Sequence, residues 1–305
     1  MLVVDTVRFS QTIMRLLLSA LLTLWLAFTV VFFLLRMIPG DAIATELLQA
    51  GANQTTIDVQ RAALGLDAPL LEQYRRTLLG YLRGDMGLSL LSRRPVVELL
   101  AERLGSTAAL TTASWSVALL VGALLGTAAG LASTDIQRLV HIMISLALSV
   151  PFYWTATLIL FVFAVRTLDN LLLPALILGY HTSGGIARVL QAEIAAVRSA
   201  GYVQAAYGRG LRVRTITLRH ILRVAILPVI TVAALQAGFI FSGAVITESI
   251  FNRAGIGTLL VRAVIEQDYP VVQAIVLLSA LVYVVLNALA DGLQYLSDPR
   301  LRLNA

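Results

Sequence analysis

The sequence predicts an all-α, polytopic membrane protein with six transmembrane helices. Of its 305 residues, 58% are hydrophobic and only 13% charged, a balance outside that of water-soluble domains. The charges are bunched, leaving apolar stretches of the ~20 residues that cross a hydrocarbon core. All 23 basic residues are arginine, and they concentrate in particular loops, as cytoplasmic loops of membrane proteins do.

The first span, residues 16–35, lies between Arg15 and Arg36. Arg8 and Arg15 before it and Ala42-Ile43-Ala44 after it imitate a signal peptide. Its length exceeds the 7–15 residues of a signal core, however, and polar residues separate its end from Ala44. A retained helix is therefore expected, ending an N-terminal segment of residues 1–36. Residues 37–103 form an extracytoplasmic region. There Ile57, Ala62, Leu64, Leu71, Tyr74 and Leu78 recur at near-helical spacing, broken at Gly65 and Pro69, which predicts two short helices.

The second span lies inside 104–134 and the third inside 139–165, each bracketed by charges and long enough to cross with some tilt. A fourth starts near Leu171 and is expected to be interrupted by His181-Thr182-Ser183-Gly184-Gly185 before Arg188. The fifth covers 224–247 and the sixth roughly 270–290. Residues 104–290 thus form a five-helix core carrying a loop at 188–223, and 291–305 form a C-terminal tail.

Arginine counts orient this arrangement. With both termini inside, the inside segments carry +7 and the outside segments −1, matching the overall +6. The 188–223 loop, with seven arginines, carries most of that argument. The chain has neither cysteine nor lysine. Disulfides, thiolate metal sites, Schiff bases and a phosphate-binding P-loop lysine are therefore excluded. The positive charge is spread along topology-setting loops, not gathered on a soluble basic domain, so nucleic acid is not expected as a partner.

Within the loop, Val189, Leu190, Ile194 and Val197 precede a small-residue stretch at 202–211. A short helix there can press into a groove on a soluble partner. Ala205 and Ala206 lack bulk, and Gly210 can take the left-handed turn that ends a helix. On composition alone, a helix resting on the membrane surface, its Arg209, Arg212, Arg214, Arg219 and Arg223 meeting anionic lipid, accounts for the same residues and is the more common case.

Several motifs occur in order along the chain: LGLDAPLLEQY at 64–74, GDMGLS at 84–89 followed by Arg94-Pro95-Val96, and SVPFYW at 149–154. QAAYGRG at 204–210, AGIG at 254–257, QDYPVVQA at 267–274 and DPRLR at 298–302 follow. The ordered set resembles the dipeptide/oligopeptide/nickel family of ABC importer permeases. The resemblance implies a type I permease fold and a heterodimer with a second homologous permease. It also implies two cytoplasmic ATPase subunits that hold ATP and Mg, and an extracytoplasmic solute-binding protein. The chain itself would bind no cofactor and catalyse no reaction. Its coupling residues would be Tyr202, Gln204, Ala205, Ala206, Arg209, Gly210 and Leu211, and its cargo dipeptides, oligopeptides, nickel or metal chelates. Gln204 stands where the general coupling pattern has glutamate, Ala254 where proline is usual and Gln267 where arginine is usual. The 166–173 connection is shorter than the family norm, which leaves open whether outer gating is altered.

Among other candidates, His141, His181 and His220 show no metal-ligand spacing. Ser242-Gly243 and Ser183-Gly184-Gly185 lack the context of a nucleophile elbow. Polar residues in or beside the spans are Ser145, Ser149, Gln236, Ser242, Glu248 and Asn287. Interhelical hydrogen bonding is the ordinary role for each. Ser149, Gln236, Ser242 and Glu248 are the candidates for a translocation path, although Gln236 and Ser242 stand about 120° apart on a helix and need not share a cavity. An autonomous channel or ion-coupled secondary transporter is the rival reading. It would be expected to show intramembrane acids or inverted repeats of discontinuous helices.

Overall fold

The computed structural model describes residues 2–37, 53–63, 65, 67–163 and 171–297. The Ala42–Ala44 motif, most of the 166–173 connection and DPRLR lie outside the described residues. The helices are α1 Leu2–Met37, α2 Gln54–Ala63, α3 Leu70–Leu82, α4 Val96–Leu131, α5 Thr134–Ser149, α6 Phe152–Phe163, α7 Leu172–Arg198 and α8 Gly201–Gly208. They continue with α9 Val213–Ile250, which contains a π-helical turn at Ile216–Ile221, then α10 Ile256–Ile265 and α11 Tyr269–Ser297. Among the described residues the only extended pairing is a single bridge between Leu88 and Pro95.

Among the described residues four helices are long and apolar enough to cross a membrane, at Leu17–Met37, Val96–Leu131, Val213–Ile250 and Tyr269–Gly292, and a bent pair makes a fifth if it is counted as one span. That pair is the third span. It is not one straight helix: α5 and α6 meet at 99°. Val150 precedes a proline and is driven into extended backbone (φ −89, ψ 126). Pro151, with no N–H, then opens the next helix instead of continuing the last.

The helix at the expected fourth span, α7, also departs from expectation, and it is not among the helices apolar enough to cross by composition alone. It runs unbroken through His181–Gly185 and on to Arg198, so Leu190, Ile194 and Val197 are buried residues of this same helix. Its glycines are contact points and not breaks. A Cβ on Gly184 would stand 2.9 Å from the Leu148 side chain, and one on Gly179 would stand 2.6 Å from the Ser114 carbonyl oxygen. Close backbone approach of this kind is how helices associate in lipid, where apolar burial alone offers no advantage.

The chain divides into two compact units. In the unit built on Thr107–Arg253, α4 and α7 pack in parallel along a ladder of small residues. Virtual Cβ atoms on Gly122, Gly126 and Gly130 would lie 2.8 Å from Ile186, 2.9 Å from Leu190 and 2.7 Å from Ile194. Both sets advance by four residues, the helical repeat along one face. Arg198 closes the ladder by donating to the Gly130 carbonyl at 2.8 Å, a cation placed at the carbonyl-rich end of α4. Trp115 Nε1 of α4 donates to the Ala233 carbonyl of α9 at 2.8 Å.

The second unit comprises Gln11–Ser106 and Ala254–Val282. Tyr74 of α3 packs edge-on against Phe28 and Phe32 of α1 and shares a hydrogen bond with Thr29 at 2.9 Å. Two of the sequence motifs meet here. Asp268, 4% exposed, accepts from Ser89 Oγ at 2.5 Å and from the Leu90 N–H at 3.1 Å. A buried carboxylate satisfied in this way fixes the GDMGLS turn against the start of α11.

One substitution made at two sites tests the ladder. Gly126→Ala places a methyl against backbone and is expected to cost about 1–3 kcal/mol. Gly105→Ala, with nothing within 4 Å of its virtual Cβ, is expected to stabilise by roughly 0.5–1 kcal/mol through helix propensity. Thermal unfolding of the purified chain in detergent should move in opposite directions for the two.

Candidate functional site

The segment after α7 is built by local chain chemistry. Ala200 is extended (φ −68, ψ 139) and redirects the chain into α8, an eight-residue helix. The helix ends as the glycine foresaw. Gly210 sits at φ +70, its N–H bonds to the Tyr207 carbonyl at 2.9 Å, and the Leu211 N–H reaches back to the Ala206 carbonyl at 3.3 Å. This paired closure satisfies the last carbonyls and turns the chain away.

The two faces of α8 differ sharply. Val203 is 0% and Ala206 6% exposed, packed in one core with Ile194, Val197, Ile216 and Ile221. Ala206 therefore does not offer its small side chain to a partner, as the sequence reading expected. Three residues after Val203, it falls on the same inward stripe. The outward stripe is Gly201, Gln204, Ala205 and Gly208, all exposed, flanked by exposed Tyr202 and Tyr207. Among the described residues nothing stands within 4 Å of virtual Cβ atoms on Gly201 and Gly208. Gln204 Nε2 donates to the Arg198 carbonyl at 3.0 Å, tying the outward stripe to the end of α7. Arg209 and Leu211 are exposed, as are Arg212, Arg214, Arg219 and Arg223.

Beneath α8 lies the π-helical turn Ile216–Ile221. On an α-helix, positions five apart stand about 140° from each other. The wider i→i+5 turn lets Ile216 and Ile221, both 0% exposed, share one face under Val203 and Ala206. Tyr202 Oη adds a long hydrogen bond to the His220 carbonyl at 3.5 Å. Thus α8 is seated on the beginning of α9.

A cavity of about 470 Å³ lies between α7, α9 and the bend joining α5 to α6, and Gln236 and Ser242 both line it. The angular separation that set them apart on paper is spanned by the cavity's width. Gln236 reaches across to Gly185, its Nε2 lying 2.6 Å from where a Cβ would stand. Ser149 and Glu248 do not line this cavity. Ser149 is exposed at the end of α5. Glu248 is 0% exposed and accepts from Thr107 Oγ1 at 2.6 Å, bonding α9 to α4. Of the remaining polar span residues, Ser145 is exposed and Asn287 half-buried.

His181 and Thr182 line the cavity and were missed as site residues because their polarity read as an interruption of the helix. His181 bonds both arms of the bend: Nδ1 to the Ala147 carbonyl at 3.1 Å and Nε2 to Thr155 Oγ1 at 3.0 Å. A carbonyl only accepts, so Nδ1 carries the proton, and in the neutral ring Nε2 accepts from the threonine hydroxyl. Among the described residues, no three His, Asp or Glu side chains gather as a metal site.

Residues 103–303 match the family described as binding-protein-dependent transport system inner membrane component, and residues 8–111 match its N-terminal companion. The glutathione transport system permease protein GsiC of Pectobacterium atrosepticum is 33% identical over 299 residues, covering 94% of this chain and 97% of that one. The protein of the same name in Escherichia coli K12 is 32% identical over 301 residues, 95% and 98% of the two chains. Among solved structures, the inward-facing MetNI methionine ABC transporter aligns with TM-score 0.57 at 17% identity, over 66% of this chain and 96% of that one. An amino acid ABC transporter with histidines aligns with TM-score 0.53 at 18% identity, over 67% and 94%.

Removing the histidine bridge tests the geometry of the bend. His181→Leu leaves the Ala147 carbonyl and the Thr155 hydroxyl without this partner, at an expected cost of about 1–3 kcal/mol. The melting temperature should fall. The same loss in a Thr155→Val variant should not add fully to it, since both remove one shared bond.

Proposed function

The chain belongs to the family of binding-protein-dependent transport system inner membrane components, and from that premise we propose that α8 is where partner ATPases drive it. The protein is a multi-pass inner-membrane permease component of an ABC importer. The observation carrying the proposal is the division of α8 into a face packed on the π turn of α9 and an opposite face of Gly201, Gln204, Ala205 and Gly208 with room for another surface. A groove that grips the outward stripe moves the inward one, and with it the fifth span.

In this reading the chain pairs with a second homologous permease, two cytoplasmic ATPases hold ATP and Mg, and a solute-binding protein delivers cargo outside. The permease catalyses no reaction. Closure of the ATPases shifts it between inward-open and outward-open states through differential contact with α8. Both termini and the 188–223 loop face the cytoplasm, as the arginine distribution supports. Gln236 and Ser242, with His181 and Thr182, form this subunit's contribution to the translocation path, while Glu248 and Ser149 serve packing and the helix end. The glutathione-permease relatives support the peptide branch of the expected cargo over nickel or metal chelates.

Two experiments test this. Ala205→Trp puts bulk on the outward stripe and should cut solute-stimulated ATP hydrolysis of the reconstituted complex roughly tenfold or more, with normal subunit abundance, because overlap at a packed interface costs about 1–3 kcal/mol. Ala206→Trp should instead lower abundance, since its site is core. Arg214→Gln should retain coupling. Full hydrolysis and transport in Ala205→Trp, with failure of the arginine variant, would identify α8 as a lipid-facing anchor. For orientation, single cysteines at Ser92 and at Arg209, both exposed, should label oppositely. An impermeant thiol reagent should reach Ser92→Cys from outside intact spheroplasts and Arg209→Cys only after lysis. The reverse pattern would invert the topology.

A further inference from the structure

A second cavity, of about 230 Å³, lies within the unit of Gln11–Ser106 and Ala254–Val282. It is lined by Arg36 at the end of α1, Arg76 and Tyr81 of α3, Asp85 in the following turn and Gln273 of α11. Two of its polar atoms are buried without a hydrogen-bond partner among the described residues: the Gln273 amide nitrogen, on a residue 2% exposed, and the Tyr81 hydroxyl. Folded proteins rarely leave such groups unpaired. Burial holds the Tyr81 phenol above its usual pKa, so at neutral pH it keeps its proton and remains a donor.

One of the two cationic groups is held in place. Arg36 donates from Nε to Gln73 Oε1 at 3.0 Å and from Nη1 to the Phe32 carbonyl at 3.2 Å, with its guanidinium 3.5 Å from the centroid of the Phe32 ring. Asp85 accepts the Gly87 N–H through Oδ1 at 2.8 Å, leaving its other oxygen as an acceptor. The walls thus present two guanidiniums and two neutral donors with a single carboxylate. The walls are net positive, which repels a simple cation and attracts a carboxylate, while Asp85 offers an acceptor of opposite sign for an ammonium. A ligand with one carboxylate and one ammonium matches both signs, and guanidinium–carboxylate pairing adds directional bonds.

We propose that this cavity is a binding site for a small amino-carboxylate. Its carboxylate is taken by Arg36, Arg76, Tyr81 and Gln273, and its ammonium by Asp85. The inference does not rest on the coupling role of α8. It is tested on the purified full-length chain in nanodiscs by calorimetric titration with glycine and glycylglycine, with acetate, methylamine and inorganic phosphate as competitors. At least one amino-carboxylate should bind, more tightly than acetate, and neither methylamine nor phosphate should displace it. Arg76→Gln and Gln273→Leu should each weaken binding about tenfold or more, the usual scale for losing a hydrogen bond to a charged group. Tyr81→Phe removes only an unpaired hydroxyl, so its melting temperature should equal or exceed wild type while binding weakens by about the same factor. If neither amino-carboxylate binds, if the three variants bind as wild type does, or if phosphate displaces the ligand, the proposal fails.

Discussion

Close approach of α4 and α7 is the constraint on which the membrane-spanning unit depends. Lipid tails are as apolar as leucine, so two helices gain little by hiding apolar side chains from lipid. They gain by packing more densely against each other than against acyl chains. Gly122, Gly126 and Gly130 permit that density, each receiving the Ile186–Ile194 face of α7 at distances a methyl group could not tolerate. Once α7 is seated there, the rest of its length is placed as well. His181 reaches both arms of the bent third span, Gly185 lies against Gln236 of the fifth, and Arg198 closes on the carbonyl end of α4.

The same seating positions α8. Because α7 continues as one helix to Arg198, the short helix that follows starts from a rigid support. Its inner residues then meet Ile216 and Ile221, stacked by the π turn. Regular α-helix at 216–221 would splay those isoleucines, and one of them would leave the core beneath Val203 and Ala206. The local irregularity is thus tied to the packing of α8. It places a displacement of α8 in direct mechanical contact with the fifth span, which lines the 470 Å³ cavity.

The spans were legible because charge is expensive in hydrocarbon and the chain keeps it at the boundaries. Internal form was less so. Glycine and serine within α7 read as a break by the rules for soluble helices, whereas in lipid their smallness is an adhesive. The four-residue recurrence of Gly122, Gly126 and Gly130 was the available signal. The bend at Pro151 was foreshadowed only by the proline's effect on Val150. In the candidate site, the turn at Gly210 was readable from residue type alone. The direction of Ala206 was not: two adjacent alanines look alike until the burial of Val203 sets the phase of the helix. His181 carries no local signal of its role, because its partners lie 26 and 34 residues away.

Small residues therefore occur in two different conditions in this protein. Where the chain packs on itself, the virtual side chains of Gly122, Gly126, Gly130, Gly179 and Gly184 meet other atoms at under 3 Å, so the absence of a side chain is fully accounted for by the fold. On α8, Gly201 and Gly208 meet nothing within 4 Å among the described residues. Neither stands in the left-handed backbone that makes Gly210 necessary. They are the first and last residues of a helix of only eight, and among the described residues nothing packs where their side chains would stand. Ala205, exposed between them, completes the stripe. A membrane-surface anchor would favour bulky apolar side chains at these positions, because its binding grows with buried apolar area. A stripe kept small without demand from the surrounding packing fits instead the partner surface proposed for α8.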